Sequence, residues 1–218
     1  MSDASQLIYG KQPVAEIERG RRRVLRVWRA PETPAAELEQ LCGSPDHQGV
    51  VAEVEPYPYA GAVDLLKAEN ALLVVLDQVQ DPRNLGAVAR SAEAAGAAGL
   101  VVPERRSAAI TAVACKASAG AVEHLPIAHV RNLADWLGEA KEAGFWIWGA
   151  DAEAKQAPWD VDLSGPTVLV MGGEGKGLRP RVAAACDGLI ALPQRGKIDS
   201  LNVSAAAAAL LFEAVRQR

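Results

Sequence analysis

A chain of 218 residues, half of them hydrophobic and 23% charged, carries enough apolar material for one substantial core and a second, smaller domain. Its formal net charge of -4 excludes a protein that is basic all over, so contact with nucleic acid has to come from local groups of cations. The apolar runs 71–76 and 203–212 fall far short of a membrane span, the N-terminus lacks the apolar core of a signal peptide, and three scattered cysteines (Cys42, Cys115, Cys186) suit neither a zinc site nor a disulfide framework, so a cytoplasmic protein without metal is expected.

Residues 1–30 read as a basic, helix-like segment in which Lys11, Arg19, Arg21, Arg22, Arg23, Arg26 and Arg29 outnumber Asp3, Glu16 and Glu18. Such a run is either a solvated face or a patch for polyanions. A Pro/Glu-rich stretch follows from Pro31 to Glu39, then a turn-rich Cys42-Gly43-Ser44-Pro45-Asp46, then 48–54, which alternates as a strand. Pro56, Pro58 and Gly61 break regular structure, which puts a boundary at 57–68: a small domain over 1–60, a linker over 61–68 and a larger domain over 69–218.

From residue 69 apolar runs alternate with helical patterns. Strands are predicted at 72–76, 99–102, 125–130, 145–150, 167–171 and 188–192, and helices at 84–95, 107–118, 132–143, 179–185 and 202–216. This alternation implies an α/β fold, a mostly parallel sheet covered by helices on both faces. Ligands of such sheets sit beyond the carboxyl ends of the strands, and the blocks around Asn84, Glu174 and Ser200 each lie in or near a loop leaving a strand, which favours one shared site.

The run Gly172-Gly173-Glu174-Gly175-Lys176-Gly177 invites a phosphate-loop reading, but the spacing excludes it. A P-loop ending in Gly175-Lys176 needs glycine where Val170 stands and Ser or Thr where Gly177 stands, and a dinucleotide fingerprint from Gly173 needs glycine where Leu178 stands. What remains is a glycine turn bearing one acid, open enough for backbone to close around a compact ligand. Farther on, Asp199-Ser200-Leu201-Asn202-Val203-Ser204 opens an alanine-rich apolar helix. Read alone, Ser200 or Asn202 is a helix cap; the same N-terminus also favours a polar or anionic ligand.

Asn84-Leu85-Gly86-Ala87-Val88-Ala89-Arg90 after the first strand, the glycine turn 172–177 after Val168-Leu169-Val170-Met171, and Leu201-Asn202-Val203-Ser204 resemble, in this order, the three motifs of the SpoU (TrmH-type) RNA ribose 2'-O-methyltransferases of the SPOUT superfamily. The resemblance is strong over 69–218 and fainter through Leu7-Ile8-Tyr9-Gly10 and His47-Gln48-Gly49-Val50. Asp77 to Asn84, Lys116 to Ala121, Glu123-His124-Leu125-Pro126 and Val215 to Arg218 make it similar to the RlmB-like branch, which acts on a guanosine in 23S rRNA. The resemblance implies a C-terminal trefoil knot, S-adenosylmethionine as cofactor, an RNA substrate (23S rRNA, with tRNA as the alternative) and a homodimer.

It also implies site residues. Arg90 is the catalytic arginine, with Asn84, Glu174, Ser200 and Asn202 as its supporting set. Val170, Met171, Gly172, Gly173, Ile190, Leu192, Gln194, Gly196, Leu201 and Asn202 are expected around the cofactor. Arg21, Arg22, Arg23, Arg26, Arg105 and Arg106 are the candidate RNA contacts. A guanidinium has no acceptor lone pair and stays protonated, so Arg90 fits an electrostatic role better than that of a base. His124 and His129 read as structural, His47 as a loop residue, and Trp146 and Trp148 as buried packing. The N-terminal domain reads as shortened, lacking a helix and a strand between Arg29 and Glu37, and a catalytically silent RNA-binding protein would not need the Arg90 set together.

Overall fold

The computed structural model describes residues 5–173, 175, 177–197 and 200–218. Its larger part is a six-stranded parallel sheet of β4 (Leu72–Asp77), β5 (Gly99–Pro103), β6 (Ile127–Val130), β7 (Trp146–Ala150), β8 (Thr167–Gly172) and β9 (Gly188–Ile190), ordered β6-β5-β4-β8-β7-β9. Every residue of the central β4 is buried, because helices cover both faces and leave no side for polar residues. Leu72, Val74 and Leu76 pack on one face beneath α3 (Pro82–Ala94), α4 (Ala112–Ala117) and α7 (Val203–Gln217). Leu73 and Val75 pack on the other, with α5 (Leu133–Glu142) and α6 (Pro180–Ala185).

From β4 the chain winds outward through β5 and β6, then returns to build β7, β8 and β9 on the opposite side. The reversal falls between β4 and β8, the switch point at which open parallel sheets leave a crevice. Helix α3 starts there: the Asp81 side chain accepts a bond from Arg83 N at 2.8 Å, and Pro82 supplies a φ already suited to a first turn.

The N-terminal lobe corrects the expected basic helix. Residues 6–29 form β1 (Gln6–Tyr9), α1 (Lys11–Arg19) and β2 (Val24–Arg29), and α2 (Ala35–Cys42) precedes β3 (Val50–Val54). The three strands make an antiparallel sheet ordered β1-β3-β2. Gly20 ends α1, and the strand that follows has its valines spaced too irregularly to signal itself. Between Arg29 and Glu37, where a helix and a strand were expected to be lacking, no strand lies: β2 ends at Arg29 and α2 begins at Ala35, a helix that buries one side chain, Leu38, and gives no repeating apolar face to read.

The stretch 57–68, read as a boundary, lies against the sheet edge. Ala60 N donates to Ile127 O at 2.8 Å, and the Tyr57 hydroxyl donates to Val122 O at 2.8 Å. Ile8, Val14, Ile17 and Val54 of the lobe join Leu85, Val88, Ile110 and Val122 of the larger part in one continuous core. One aromatic expectation also changes: Trp146 is 59% exposed at the start of β7, while Trp148 is half-buried and packs against the core. His47 is buried in a short 3-10 turn, where its Nδ1 accepts from Gly49 N at 3.0 Å.

Candidate active site

Three loops leave the carboxyl ends of β4, β8 and β9 and meet at the switch point. Asn202 joins two of them. Its Oδ1 caps α7 by accepting from Ser204 N at 2.8 Å and Ser204 Oγ at 2.6 Å, and its Nδ2 donates to Asn84 Oδ1 at 3.1 Å. The expected cap is therefore Asn202, and it is also a bond to a residue 118 positions away. Asn84 is buried on the first turn of α3; Arg90, nearly two turns on, is exposed and makes no hydrogen bond or ion pair among the described residues.

The glycine loop is pressed against β4. A Cβ on Gly172 would stand 2.3 Å from Gly177 C, and one on Gly173 would stand 2.7 Å from Gln78 O. Gly177 N donates back to Gly173 O at 3.2 Å, closing a turn in which Gly177 has φ +61°. Sequence reasoning missed the strut behind this loop. Asp77, fully buried at the end of β4, accepts from Arg179 N at 2.9 Å and Arg179 Nε at 2.7 Å, so Arg179 holds the loop shut rather than standing free as a cation. An aspartate straight after an apolar strand was the available signal. Glu174 lies outside the described residues.

A cleft of about 710 Å³ opens between the segments 150–153 and 171–173 with Gly177 and Leu178 on one side, and 190–194 with Ser200, Leu201 and the first turns of α7 on the other. Of the expected cofactor residues, Met171, Gly172, Gly173, Ile190, Leu192, Gln194 and Leu201 line it, together with Ser200 from the supporting set. Val170 does not: its side chain points into the core on the other face, beside Val75 and Val182. Gly196 borders a smaller neighbouring pocket of about 440 Å³ behind Leu192 and Gln194. The volume falls in the range of sites for nucleoside-sized ligands, roughly 300 to 1,000 Å³. Leu178, Leu192, Leu201 and Leu210 offer an apolar wall for a flat base, the glycines let backbone approach, and Asp151 and Glu153 add carboxylates suited to a cationic ligand. These features fit S-adenosylmethionine, an adenine nucleoside bearing a sulfonium and an ammonium.

The arginines expected to meet RNA divide. Arg105 and Arg106 are exposed in the loop after β5. Arg26 is exposed and its guanidinium lies 4.7 Å over the Trp28 ring; Arg23 is exposed beside Glu55 at 3.7 Å. Arg21 is tied to Glu123 O and Leu125 O at 3.2 and 3.0 Å. Arg22 is a correction: it is 4% exposed and ion-paired with Glu123, so it is closed to a phosphate. A run of arginines has no local feature that tells which one turns inward.

A switch-point cleft walled by leucines and floored by glycines, with two carboxylates at its edge, suits a nucleoside-type ligand bearing positive charge. The comparisons make this specific. The SpoU rRNA Methylase family model matches residues 71–212, and a model described as RNA 2'-O ribose methyltransferase substrate binding matches residues 31–60. The chain belongs to the SpoU family, the S-adenosylmethionine-dependent RNA 2'-O-methyltransferases. It is 40% identical over 245 residues to YacO of Bacillus subtilis (strain 168), assigned to the TrmH family of tRNA/rRNA methyltransferases, with 100% of this chain and 98% of YacO covered. Other curated relatives are longer, and the chain spans 61% to 64% of their length. An AdoMet-bound rRNA methyltransferase from Sinorhizobium meliloti superposes with a TM-score of 0.83 at 28% identity, over 97% of this chain and 87% of that one. A TrmH/SpoU tRNA modifying enzyme from A. aeolicus gives 0.63 at 32% identity, over 72% and 80%.

Proposed function

We propose that the protein methylates the ribose 2'-hydroxyl of a guanosine in 23S rRNA, in the cytoplasm and as a homodimer. The observation that carries the choice of RNA is the docked N-terminal lobe. The AdoMet-bound rRNA enzyme matches the chain through both lobes, whereas the match to the tRNA enzyme covers 72% of it. A tRNA target is the rival reading, favoured by the tRNA/rRNA wording of the YacO name. Exposed Leu201 at the cleft, with exposed Phe212 and Val215 farther along α7, supports a second copy on that side. The trefoil knot belongs to the same reading, since the segments bordering the cleft are the ones it would thread.

The cofactor supplies a methyl group already activated on a sulfonium. Met171, Gly172, Gly173, Ile190, Leu192, Gln194 and Leu201 hold it, and Asn84, Ser200, Asn202 and Glu174 fix the incoming sugar. Arg90 pairs with the neighbouring phosphate and stabilises negative charge growing on the 2'-oxygen. Orienting two bound reactants supplies about 7 to 11 kcal/mol, against about 3 to 5 kcal/mol for proton removal by a base, so positioning dominates. Arg105, Arg106, Arg23 and Arg26 meet RNA.

Tritiated methyl transfer from S-adenosylmethionine to purified 23S rRNA and tRNA tests this. Label at a guanosine 2'-oxygen in 23S rRNA alone is the expected result; label in tRNA alone overturns the choice of RNA. Arg90→Lys should lower the rate at least about 100-fold, the cost of removing one oxyanion stabiliser. A rate near wild type would remove any special role for the guanidinium fork.

A further inference from the structure

A buried charged cluster sits where the two lobes meet, away from the cleft. Arg22, at the entry to β2, donates through Nε to Glu123 Oε2 at 2.9 Å and through Nη2 to Glu123 Oε1, with Nη1 on Gln6 Oε1 at 2.9 Å and Nη2 on Cys115 Sγ at 3.2 Å. Both charged side chains are excluded from solvent. Burial pulls the Arg22 guanidinium down, but the hydrogen bond and charge of Glu123, with Cys115, outweigh it and leave it raised. Neighbouring contacts run the same way: His124 Nε2 lies 2.9 Å from Glu16 Oε2, and Lys116 Nζ donates to Asp46 O at 2.7 Å.

All of these catalytic-side partners lie on the segment 115–125, which begins in α4. That helix is in turn pressed on α3: a Cβ on Gly86 would stand 2.4 Å from Ala114 O and 3.0 Å from Ser118 N. A path of contacts therefore runs from the N-terminal lobe through α4 to the helix that carries Asn84 and Arg90. A buried ion pair adds little to stability over an apolar pair of the same volume, and its documented use is to enforce one arrangement among several. A lobe on a loose tether would only raise the local concentration of RNA. A clamped lobe fixes the angle at which RNA arrives, which an oriented displacement requires.

We propose that Arg22 and Glu123 are positioning residues for methyl transfer: their buried pair clamps the N-terminal lobe to α4, and through it to α3, so that RNA held by the lobe meets the cleft in one orientation. This rests on the reading of the protein as an RNA ribose methyltransferase. The test uses the full chain with two variants. Arg22→Lys keeps the charge but loses the fork that reaches Glu123, Gln6 and Cys115 together; Arg22→Met/Glu123→Leu replaces both charges with apolar side chains.

For each, amide hydrogen exchange reads how firmly β2 and the segment 115–125 stay closed on each other, calorimetry reads S-adenosylmethionine binding, and transfer to protein-free 23S rRNA made in vitro gives kcat and KM. The expected result is faster exchange along that seam with the shared core still protected, cofactor affinity within twofold of wild type, RNA KM within about threefold, and kcat at saturating RNA at least tenfold lower. A purely structural role would lower the melting temperature and leave kcat unchanged in the folded fraction. Unchanged kcat overturns the proposal, whether the seam loosens or stays shut. If the double variant does not fold, Arg22→Lys carries the same readings. Absence of methyl transfer by the wild-type protein to any RNA would instead remove the reading on which the proposal rests, while hydrogen exchange would still report whether the pair holds the seam.

Discussion

Asn202 carries two functions through two ends of one amide. The oxygen satisfies the first turn of α7 and the nitrogen reaches Asn84 on α3. Substitution separates them. Asn202→Ala removes both and should cost about 1 to 2 kcal/mol of stability, as loss of a helix cap and one partly buried hydrogen bond does. Asn202→Ser keeps a capping oxygen but has no nitrogen to cross to Asn84, so its stability should recover to within about 1 kcal/mol of wild type. Methyl transfer should stay depressed in both. Thermal denaturation beside a transfer assay checks the pair, and recovery of transfer along with stability in the serine variant would show that capping was the whole role. The cap was legible in the sequence because small polar residues ahead of an apolar run are a local signal. The bond to Asn84 was not, because nothing within one helical turn encodes a partner 118 residues distant.

At the scale of elements, Gly172, Gly173, Gly177 and Leu178 form one wall of the cleft, held from behind by the bonds of Arg179 to Asp77. Gly172→Ala puts a methyl 2.3 Å from Gly177 C and 2.6 Å from Gly177 O, and both are backbone atoms that cannot rotate away. The loop has to shift by about 1 Å to bring these atoms to ordinary van der Waals contact. S-adenosylmethionine affinity should fall at least tenfold by calorimetry, with the far-ultraviolet circular dichroism of the sheet unchanged. Affinity equal to wild type would mean the cofactor does not touch this wall. The central strands were readable in advance because burial on both faces leaves continuous apolar runs, as in β4 and β8. Helix α2 was not, since eight residues with one buried side chain carry no periodicity to detect.

Across the whole molecule the two lobes share a core, and the buried thiol within it gives a pH signature. Burial pushes Cys115 up to about 11 from an ordinary value of 9.0. A group whose folded value is raised adds stability that is intact below the unfolded value, so the protein should weaken as pH climbs from 9 toward 11, where the unfolded thiol ionises and the folded one does not. At about 1.4 kcal/mol per tenfold change in proton affinity, the loss from this group approaches about 3 kcal/mol. Urea melts between pH 8 and pH 11 should slope downward, and Cys115→Ser, which does not titrate there, should remove that part of the slope while keeping an oxygen for Arg22. Identical slopes in the two proteins would place the alkaline transition elsewhere.

The alternation of apolar runs with helical patterns was enough to determine a parallel α/β sheet, and the three loop motifs were enough to determine the family. Both are properties of short segments, where period and residue type act locally. Tertiary structure alone decided that Arg22 turns inward to Glu123 while Arg23 and Arg26 stay outside, that Val170 faces away from the cleft, and that the expected boundary at 57–68 lies packed along a sheet edge. Each of these depends on a partner far along the chain, and a side chain's burial is set by what folds against it rather than by its neighbours in sequence.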